Sequence, residues 1–359
     1  MTIDLDSIPP ARARPPRRPR GLPLLLSLLA ALLLAASAGP AGSGVLRVVA
    51  FQGDRVASWL LAADMLYSTN LPEDDVGVAV EVVARTLDGN EVAWSRTIEG
   101  DGGVPSLAEA GTYLVVTSGV GFTALVLDRH TGEVLWKSSG LGTAVAAGDR
   151  IALWEEDRLG VLDVATRRVA WWLPFPSGLV AAASDGPHLV VADANGDVFT
   201  YVAATGEMAG TATAGPVHSL AAGGGRVYGL GPSSVTALRL PRLDPLWSAP
   251  ATARSTLTPC GDRLCLADAT VRALDPATGQ VLTEFAGRGV LAGDVLLRAS
   301  QDRTWVRDMA TGEIRGHLPG AGLPTGCARV DRHLACKVGK GEVMVWRFPS
   351  RGSRGSPSA

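Results

Sequence analysis

The chain has 359 residues, of which 47% are hydrophobic and 19% are charged, so it can bury a large core. Its 43 glycines and 23 prolines favour many short strands joined by turns over long helices. The formal charge is −2, and the residues after the first forty carry a formal charge of −5. Such a balance provides no basic face for nucleic acid, so we expect no nucleic-acid partner.

The N-terminal residues indicate export. Residues 1–20 form an arginine- and proline-rich arm, and residues 21–40 form an uncharged segment of mainly leucine and alanine. Arginine before an apolar run keeps that end in the cytoplasm and directs the following chain across the membrane. Residues 21–40 are therefore either a transmembrane anchor or a signal peptide.

Two features of this segment favour different outcomes. The long cytoplasmic arm favours an uncleaved, single-pass anchor in the plasma membrane, with the rest of the chain outside the cytoplasm. The small residues Ala36, Ser37 and Ala38 favour cleavage near Ala38, which would release a secreted protein. We expect the anchor and keep secretion as the alternative.

Residues 41–348 contain a repeat of roughly 38 residues, which is typical of stacked or circular arrays. In each repeat a tight turn precedes a short apolar run. The sequence places these first turns at Asp64-Met65, Thr112-Tyr113, Asp149-Arg150, Pro187-His188, Gly225-Arg226, Asp262-Arg263, Asp294-Val295 and Asp331-Arg332. Short apolar runs bounded by turn residues predict four strands per repeat, which is the size of one propeller blade.

The numbers of turns predict how the ring closes. A second turn, of the Thr-Gly-Glu type, occurs seven times against eight first turns, so the last repeat lacks its fourth strand. Residues 45–51 can supply that strand by pairing with residues 343–348, which would cover an exposed sheet edge. We predict an all-β, eight-bladed propeller of four-stranded antiparallel blades, closed by an N-terminal strand. Residues 349–359 are predicted to form a disordered tail.

One repeat carries a recognisable motif. Its residues are Asp128, Thr131, Gly132 and Trp136, and weaker copies that keep the turn but lack the tryptophan comprise Asp275, Thr278, Gly279, Asp308, Thr311 and Gly312. Conversely, Trp94, Trp171 and Trp247 follow turns that have lost the motif. This pattern resembles the repeat of quinoprotein-like (PQQ-like) β-propellers across residues 45–348.

The resemblance implies a fold more than an activity. The family includes quinone-dependent dehydrogenases, the propeller lipoprotein of the outer-membrane barrel-assembly machinery, and exported proteins that are not enzymes. The dehydrogenases carry a Cys-Cys dipeptide and calcium ligands, and this chain has no such dipeptide. We therefore expect no cofactor, no metal and no catalytic residues.

The four cysteines predict two disulfides, Cys260 with Cys265 and Cys327 with Cys336. Each pair flanks a predicted first turn symmetrically, so we expect both pairs to lie directly opposite each other in a hairpin. The export signal supports oxidation, whereas free buried thiols are the alternative.

Other candidate residues favour structural roles. Most of the five histidines are expected to be solvated turn residues. The acidic runs Glu73-Asp74-Asp75 and Glu155-Glu156-Asp157 are expected in solvated loops, and Gly223-Gly224-Gly225 in a hairpin turn. Trp154, Trp171 and Trp172 are expected to pack between blades, although strand alternation could leave one exposed.

These observations predict a monomeric, non-enzymatic propeller that binds a protein or small-molecule ligand through loops on one face. A quinone-dependent dehydrogenase and a structural subunit of a membrane protein complex are the alternatives.

Overall fold

The protein is represented by a computed structural model that describes residues 46–349, except 54–55, 71–78, 100–104, 118–123, 139–141, 148–149, 156, 288, 301–302, 320–322 and 340. The predicted arm, the segment at residues 21–40, the acidic run at residues 73–75 and the tail beyond Pro349 lie outside the described residues. Within the described part of the chain, no helix is long and apolar enough to cross a membrane.

The described residues form 32 short strands, numbered in chain order. The first sixteen are β1 Arg47–Gln52, β2 Val56–Leu61, β3 Met65–Asn70, β4 Ala79–Thr86, β5 Val92–Glu99, β6 Ser106–Ala110, β7 Tyr113–Thr117, β8 Ala124–Asp128, β9 Val134–Lys137, β10 Gly142–Ala147, β11 Arg150–Glu155, β12 Arg158–Asp163, β13 Arg168–Pro174, β14 Leu179–Asp185, β15 His188–Asp193 and β16 Asp197–Val202. The others are β17 Met208–Thr213, β18 Ser219–Gly223, β19 Arg226–Leu230, β20 Ser234–Arg239, β21 Asp244–Pro250, β22 Thr256–Cys260, β23 Arg263–Ala267, β24 Val271–Leu274, β25 Val281–Phe285, β26 Val290–Ala292, β27 Val295–Ser300, β28 Arg303–Asp308, β29 Ile314–Leu318, β30 Thr325–Val330, β31 His333–Val338 and β32 Glu342–Arg347.

The strands form eight antiparallel sheets of four strands, which are the blades of a propeller. Blades 1 to 7 each use four consecutive strands, beginning with β2 to β5 in blade 1. Blade 8 has the order β1-β32-β31-β30, so its outer strand comes from the N-terminal end. Arg47 pairs with Arg347 and Gln52 pairs with Val343. The predicted closure of the ring by an N-terminal strand is confirmed.

The core is divided among the interfaces between blades. The eight clusters of buried side chains each join two neighbouring blades, one cluster at every interface around the ring. At the closing interface, Ala50 and Val345 of blade 8 pack with Leu61 and Leu66 of blade 1. Each blade therefore depends on both neighbours to bury its two faces.

The turns between the third and fourth strands share one backbone geometry. All seven contain a residue with a positive φ at the equivalent position, even where glycine is absent; these residues are Asn90, Gly132, Arg167, Gly206, Leu243, Gly279 and Gly312. Each turn is followed by a bulge, as between Val126 and Leu127 in blade 2. The repeat therefore conserves the shape of this turn where it does not conserve its sequence.

The turns between the first and second strands differ by one residue from the prediction. In blade 6, Cys260 pairs with Arg263, so the turn residues are Gly261 and Asp262. The same shift holds in the other blades whose turn is described, except blade 8, where Asp331 and Arg332 form the turn as predicted. In these six blades the second residue of the predicted turn, such as Arg263, is already the first residue of the second strand.

This shift corrects the geometry predicted for one disulfide. Both disulfides are present, but Cys265 pairs across the hairpin with Thr258, so Cys260 and Cys265 are diagonal neighbours with Cα atoms 5.8 Å apart. Cys327 and Cys336 are directly opposed, as predicted, with Cα atoms 4.1 Å apart. Both separations lie within or near the usual range for disulfides.

Candidate binding surface

The motif aspartates organise their turns. The carboxylate of Asp275 accepts hydrogen bonds from the backbone N–H groups of Ala277 (2.7 Å) and Thr278 (2.9 Å). Asp128 and Asp308 make the same two bonds in blades 2 and 7. These bonds, first from Ala277 and then from Thr278, hold the pKa of Asp275 below its ordinary value. The motif therefore stabilises a turn.

The motif tryptophan acts on the next blade rather than its own. An added Cβ at Gly132 in blade 2 would lie 2.7 Å from the ring of Trp94, which belongs to blade 1. Gly206 and Gly279 are covered in the same way by Trp171 and Trp247 of the preceding blades. Tryptophan and glycine thus form one contact across an interface, which explains why the sequence showed them in different repeats.

Trp136 has no such glycine in the next blade. Trp136 of β9 pairs with Val126 of β8, at the position equivalent to Trp94. The turn of blade 3, however, has Arg167 where the turns that face Trp94, Trp171 and Trp247 have glycine. Trp136 instead packs into the cluster between blades 2 and 3.

At the interface between blades 5 and 6, two side chains converge on one carbonyl oxygen. The Trp247 Nε1 and the Tyr228 hydroxyl donate to the Pro276 carbonyl at 3.1 Å and 3.3 Å. Tyr228 is buried, and this burial raises the pKa of its hydroxyl. These contacts fix the blade 6 turn against blade 5.

Two cavities open beside this turn, with volumes of about 330 and 390 Å³. Both include Gly224 and Arg226 from blade 5. The first is bounded by inner-strand and turn residues such as Pro259 and Arg263, and the second by outer residues such as Arg239. Together they form a groove along the boundary of blades 5 and 6, which we call the arginine cleft.

The arginine cleft has a local excess of positive charge. Arg226, Arg239 and Arg263 line it, against one lining carboxylate, Asp262, whose side chain is 89% exposed. Within the described part of the chain, neither Arg226 nor Arg239 forms an ion pair. Arg226 donates to the Gly224 carbonyl (3.1 Å), and Arg263 makes only long contacts, to Thr283 and to the Met309 carbonyl (3.4 Å each).

The nearby carboxylates have backbone partners. Asp275 accepts the turn N–H groups described above, and Asp185 accepts the N–H of Gly225 at 2.6 Å. Three arginines and one carboxylate thus line the cleft itself, while Asp185 and Asp275 lie beside it. The sequence analysis identified the glycine turn at residues 223–225 correctly but missed the cleft, because the arginines are 13 to 37 positions apart and meet only when two blades pack.

A third cavity, of about 260 Å³, lies between blades 7 and 8, on the face opposite these turns. It is lined mainly by apolar side chains, including Leu318, Met344 and Trp346, with Glu342 at its edge. It offers a smaller site without an arginine in its lining.

The other predicted candidates have structural positions. Trp171 packs between blades 3 and 4, Trp154 donates to the Phe175 carbonyl, and Trp172 lies under the Arg158 guanidinium at 4.4 Å, so none of the three is exposed. Glu155 was expected in a solvated loop, but it is buried in β11, with Arg158 3.7 Å from its carboxylate.

Some of the five histidines are exposed, as predicted, and others lie within strands. His130 and His218 are exposed, whereas His317 lies within β29 and stacks at a tilt on Trp305, so the expectation of a turn is wrong for His317. No group of three or more His, Cys, Asp or Glu side chains that could hold a metal occurs among the described residues.

Three of the inner strands provide few groups that could bind pyrroloquinoline quinone. Binding this cofactor requires carboxylate and amide ligands for calcium and flat apolar groups above and below the ring. Three consecutive inner strands, β10, β14 and β18, consist mainly of alanine, glycine, serine and threonine with a few aliphatic residues. We therefore derive no chemistry through this cofactor.

Comparisons with known proteins agree on the architecture. The chain matches crystal structures of BamB from Moraxella catarrhalis (16% identity, TM-score 0.60) and of the computationally designed protein Ika8 (16%, 0.65), covering 85% of this chain and 100% of each. It also matches the C-terminal WD40 domain of Sif2 (10%, 0.62), covering 86% of this chain and 99% of that one. At these identities the likeness shows the fold alone.

A sequence profile gives the family. A search of curated proteins finds no match. The profile of the PQQ-like family described as outer membrane protein assembly factor BamB matches twice, over residues 79–283 and 123–348. Because these matches cover most of the chain, it belongs to this family of PQQ-like β-propellers.

Proposed function

We propose that this protein is a non-enzymatic binding platform that works outside the cytoplasm at the membrane. The observation that carries the proposal is the family match, since the family description is that of an assembly factor and names no reaction. A platform needs a rigid surface on which short loops converge, and an eight-bladed ring provides one.

The location is part of the proposal. Arginines followed by the apolar residues 21–40 support export with an anchor, and two disulfides support an oxidising compartment. N-terminal sequencing of the native protein tests the anchor. We expect the chain to retain residues 1–20, whereas a mature chain beginning at Gly39 would show secretion.

The partner is proposed to bind the face that carries the second turns, where the arginine cleft lies. This face combines a groove with three arginine side chains as hydrogen-bond donors, whereas the opposite cavity is smaller and has no arginine in its lining. A role in the assembly of outer membrane proteins, which the family description gives for BamB, is consistent with such a surface.

The absence of enzymatic activity is tested directly. Purified protein is mixed with pyrroloquinoline quinone and calcium, and dye reduction is followed over a panel of alcohols and aldoses. We expect no turnover above that of the free cofactor, because the inner strands β10, β14 and β18 provide mainly small side chains where the cofactor needs ligands. Turnover that depends on both protein and quinone would contradict the proposal.

A further inference from the structure

We propose that the arginine cleft binds an acidic, partly apolar segment of a partner protein. This inference rests on the proposed function and specifies the chemistry of the partner. It is carried by the composition of the cleft, its charge and the rigidity of its walls.

The charge of the cleft selects a carboxylate-bearing ligand. Guanidinium groups bind carboxylates through two parallel hydrogen bonds, and such bonds are stronger than those between neutral groups. Arg226 and Arg239 form no ion pair within the described part of the chain, and Arg263 has only the long contacts given above, plus Asp262 at 3.8 Å. Their remaining N–H groups can therefore donate to a carboxylate of a ligand without breaking an existing close ion pair.

The apolar lining selects a peptide rather than a small inorganic anion. Tyr228, Pro259 and Leu264 line the inner cavity, and Leu240 and Leu246 line the outer one. A segment that places acidic and apolar side chains alternately can satisfy both parts of such a groove, since neighbouring side chains of an extended chain point in opposite directions. The concave shape also disfavours a flat lipid surface.

The walls of the cleft are held in place before any ligand binds. Trp247 and Tyr228 fix the Pro276 carbonyl, and the Asp275 carboxylate fixes the turn that follows. The residues from 157 to 287, which include the whole cleft, are described without a gap. A preformed site loses less conformational freedom on binding, which favours affinity.

The experiment uses purified full-length protein in detergent and a short fluorescein-labelled peptide in which glutamate and leucine alternate. We expect fluorescence anisotropy to report binding that weakens as salt is added, and no binding of the matching lysine-leucine peptide. Replacing Arg226 or Arg263 by alanine should weaken binding about tenfold each, since each removes charge-assisted hydrogen bonds.

The matched control is the double variant Arg167→Ala/Arg168→Ala, which removes the same charge from the turn of blade 3, outside the cleft. It should bind the acidic peptide as the unmodified protein does. Thermal melting should show that this control and the double variant Arg226→Ala/Arg263→Ala are both folded. Equal binding by Arg226→Ala/Arg263→Ala and the unmodified protein would overturn the proposal, as would no binding of the acidic peptide.

A separate measurement uses vesicles containing phosphatidylglycerol. Binding to vesicles that requires Arg226 and Arg263, without binding to the peptide, would assign the cleft to lipid phosphate and overturn the proposal. Such a result would not contradict the proposed binding platform. That proposal is contradicted by quinone-dependent turnover and does not depend on the affinity for the peptide.

Discussion

The interface between blades 5 and 6 and the interface between blades 6 and 7 use the same turn motif in different surroundings. At the first, Gly279 lies against Trp247, and an added Cβ would approach the indole to 2.6 Å. At the second, Gly312 has open space around its Cα, and Thr283 stands at the strand position that Trp247 occupies in blade 5. Both glycines have a positive φ, 71° and 72°. The motif glycine is therefore required by the backbone at both interfaces and by packing at only one.

The largest change to any interface is the loss of the strand that closes the ring. Deleting residues 41–52 removes β1, exposes the outer edge of β32 and takes Leu46 and Ala50 out of two buried clusters. We expect the variant to lose cooperative thermal unfolding, because interfaces on both sides of blade 8 are affected. Removal of residues 350–359 is the control and should leave the melting curve unchanged. A deletion variant that melts like the parent would refute the closure.

The difference between the two interfaces can be measured by removing the aromatic contact at the first. Trp247→Ala should lower the free energy of unfolding by about 3 kcal/mol, since it deletes a half-buried indole and its hydrogen bond to Pro276. Thr283→Ala, at the equivalent position facing blade 7, should cost less than about 1 kcal/mol. Urea unfolding of both variants provides the measurement. Equal losses would mean that the two interfaces are not different in the way described.

The two glycines separate the cost of backbone from the cost of packing. Gly312→Ala should lower the free energy of unfolding by about 1 kcal/mol, the usual cost of a left-handed conformation for a residue with a Cβ. Gly279→Ala adds a clash with Trp247 and should cost about 2 kcal/mol or more. The double variant Gly279→Ala/Trp247→Ala should lose less than the sum of its single variants, because the clash disappears with the indole. An additive double variant would contradict the proposed contact.

The smallest expected effect concerns the turn carboxylate. The pKa of Asp275 is lower in the folded protein, so its charge contributes stability above its unfolded pKa of about 3.9, and this contribution is lost as the pH falls through the folded pKa. Asp275→Asn should therefore lower the melting temperature near neutral pH, and the difference should shrink below about pH 4. Asp244→Asn, at an exposed position, is the control and should show no such trend.

The sequence predicted the elements of this fold that depend on neighbouring residues. Turn residues at regular intervals predicted eight blades, and the excess of first turns predicted closure by residues 45–51. The exact hairpin register was harder to predict. The two cysteines flank Asp262-Arg263 symmetrically, which favoured a turn at these residues over one at Gly261-Asp262. Only the pairing of Cys260 with Arg263 distinguishes the alternatives.

The candidate site was beyond the sequence for a different reason. Trp247 and Gly279 lie in different repeats, and so do Arg226 and Arg263, and no local pattern shows which blade surfaces meet. Once the order of the blades is known, however, a tryptophan in one fourth strand and a glycine in the next blade's turn can be matched. Part of the site could thus be derived from the sequence in a second step, whereas the cavity volume and the converging hydrogen bonds on Pro276 could not.

We propose that the turn face of this platform binds a partner protein, and site-specific photocross-linking measures this contact in the native membrane. A photoreactive amino acid is placed at Ala277, beside the arginine cleft, and at Asn195, exposed on the opposite face of blade 4, in full-length protein in its native membrane. We predict that Ala277 yields a cross-link to one defined protein and that Asn195 does not. Cross-links of equal yield from both positions, or none from Ala277, would show that the turn face is not the binding surface.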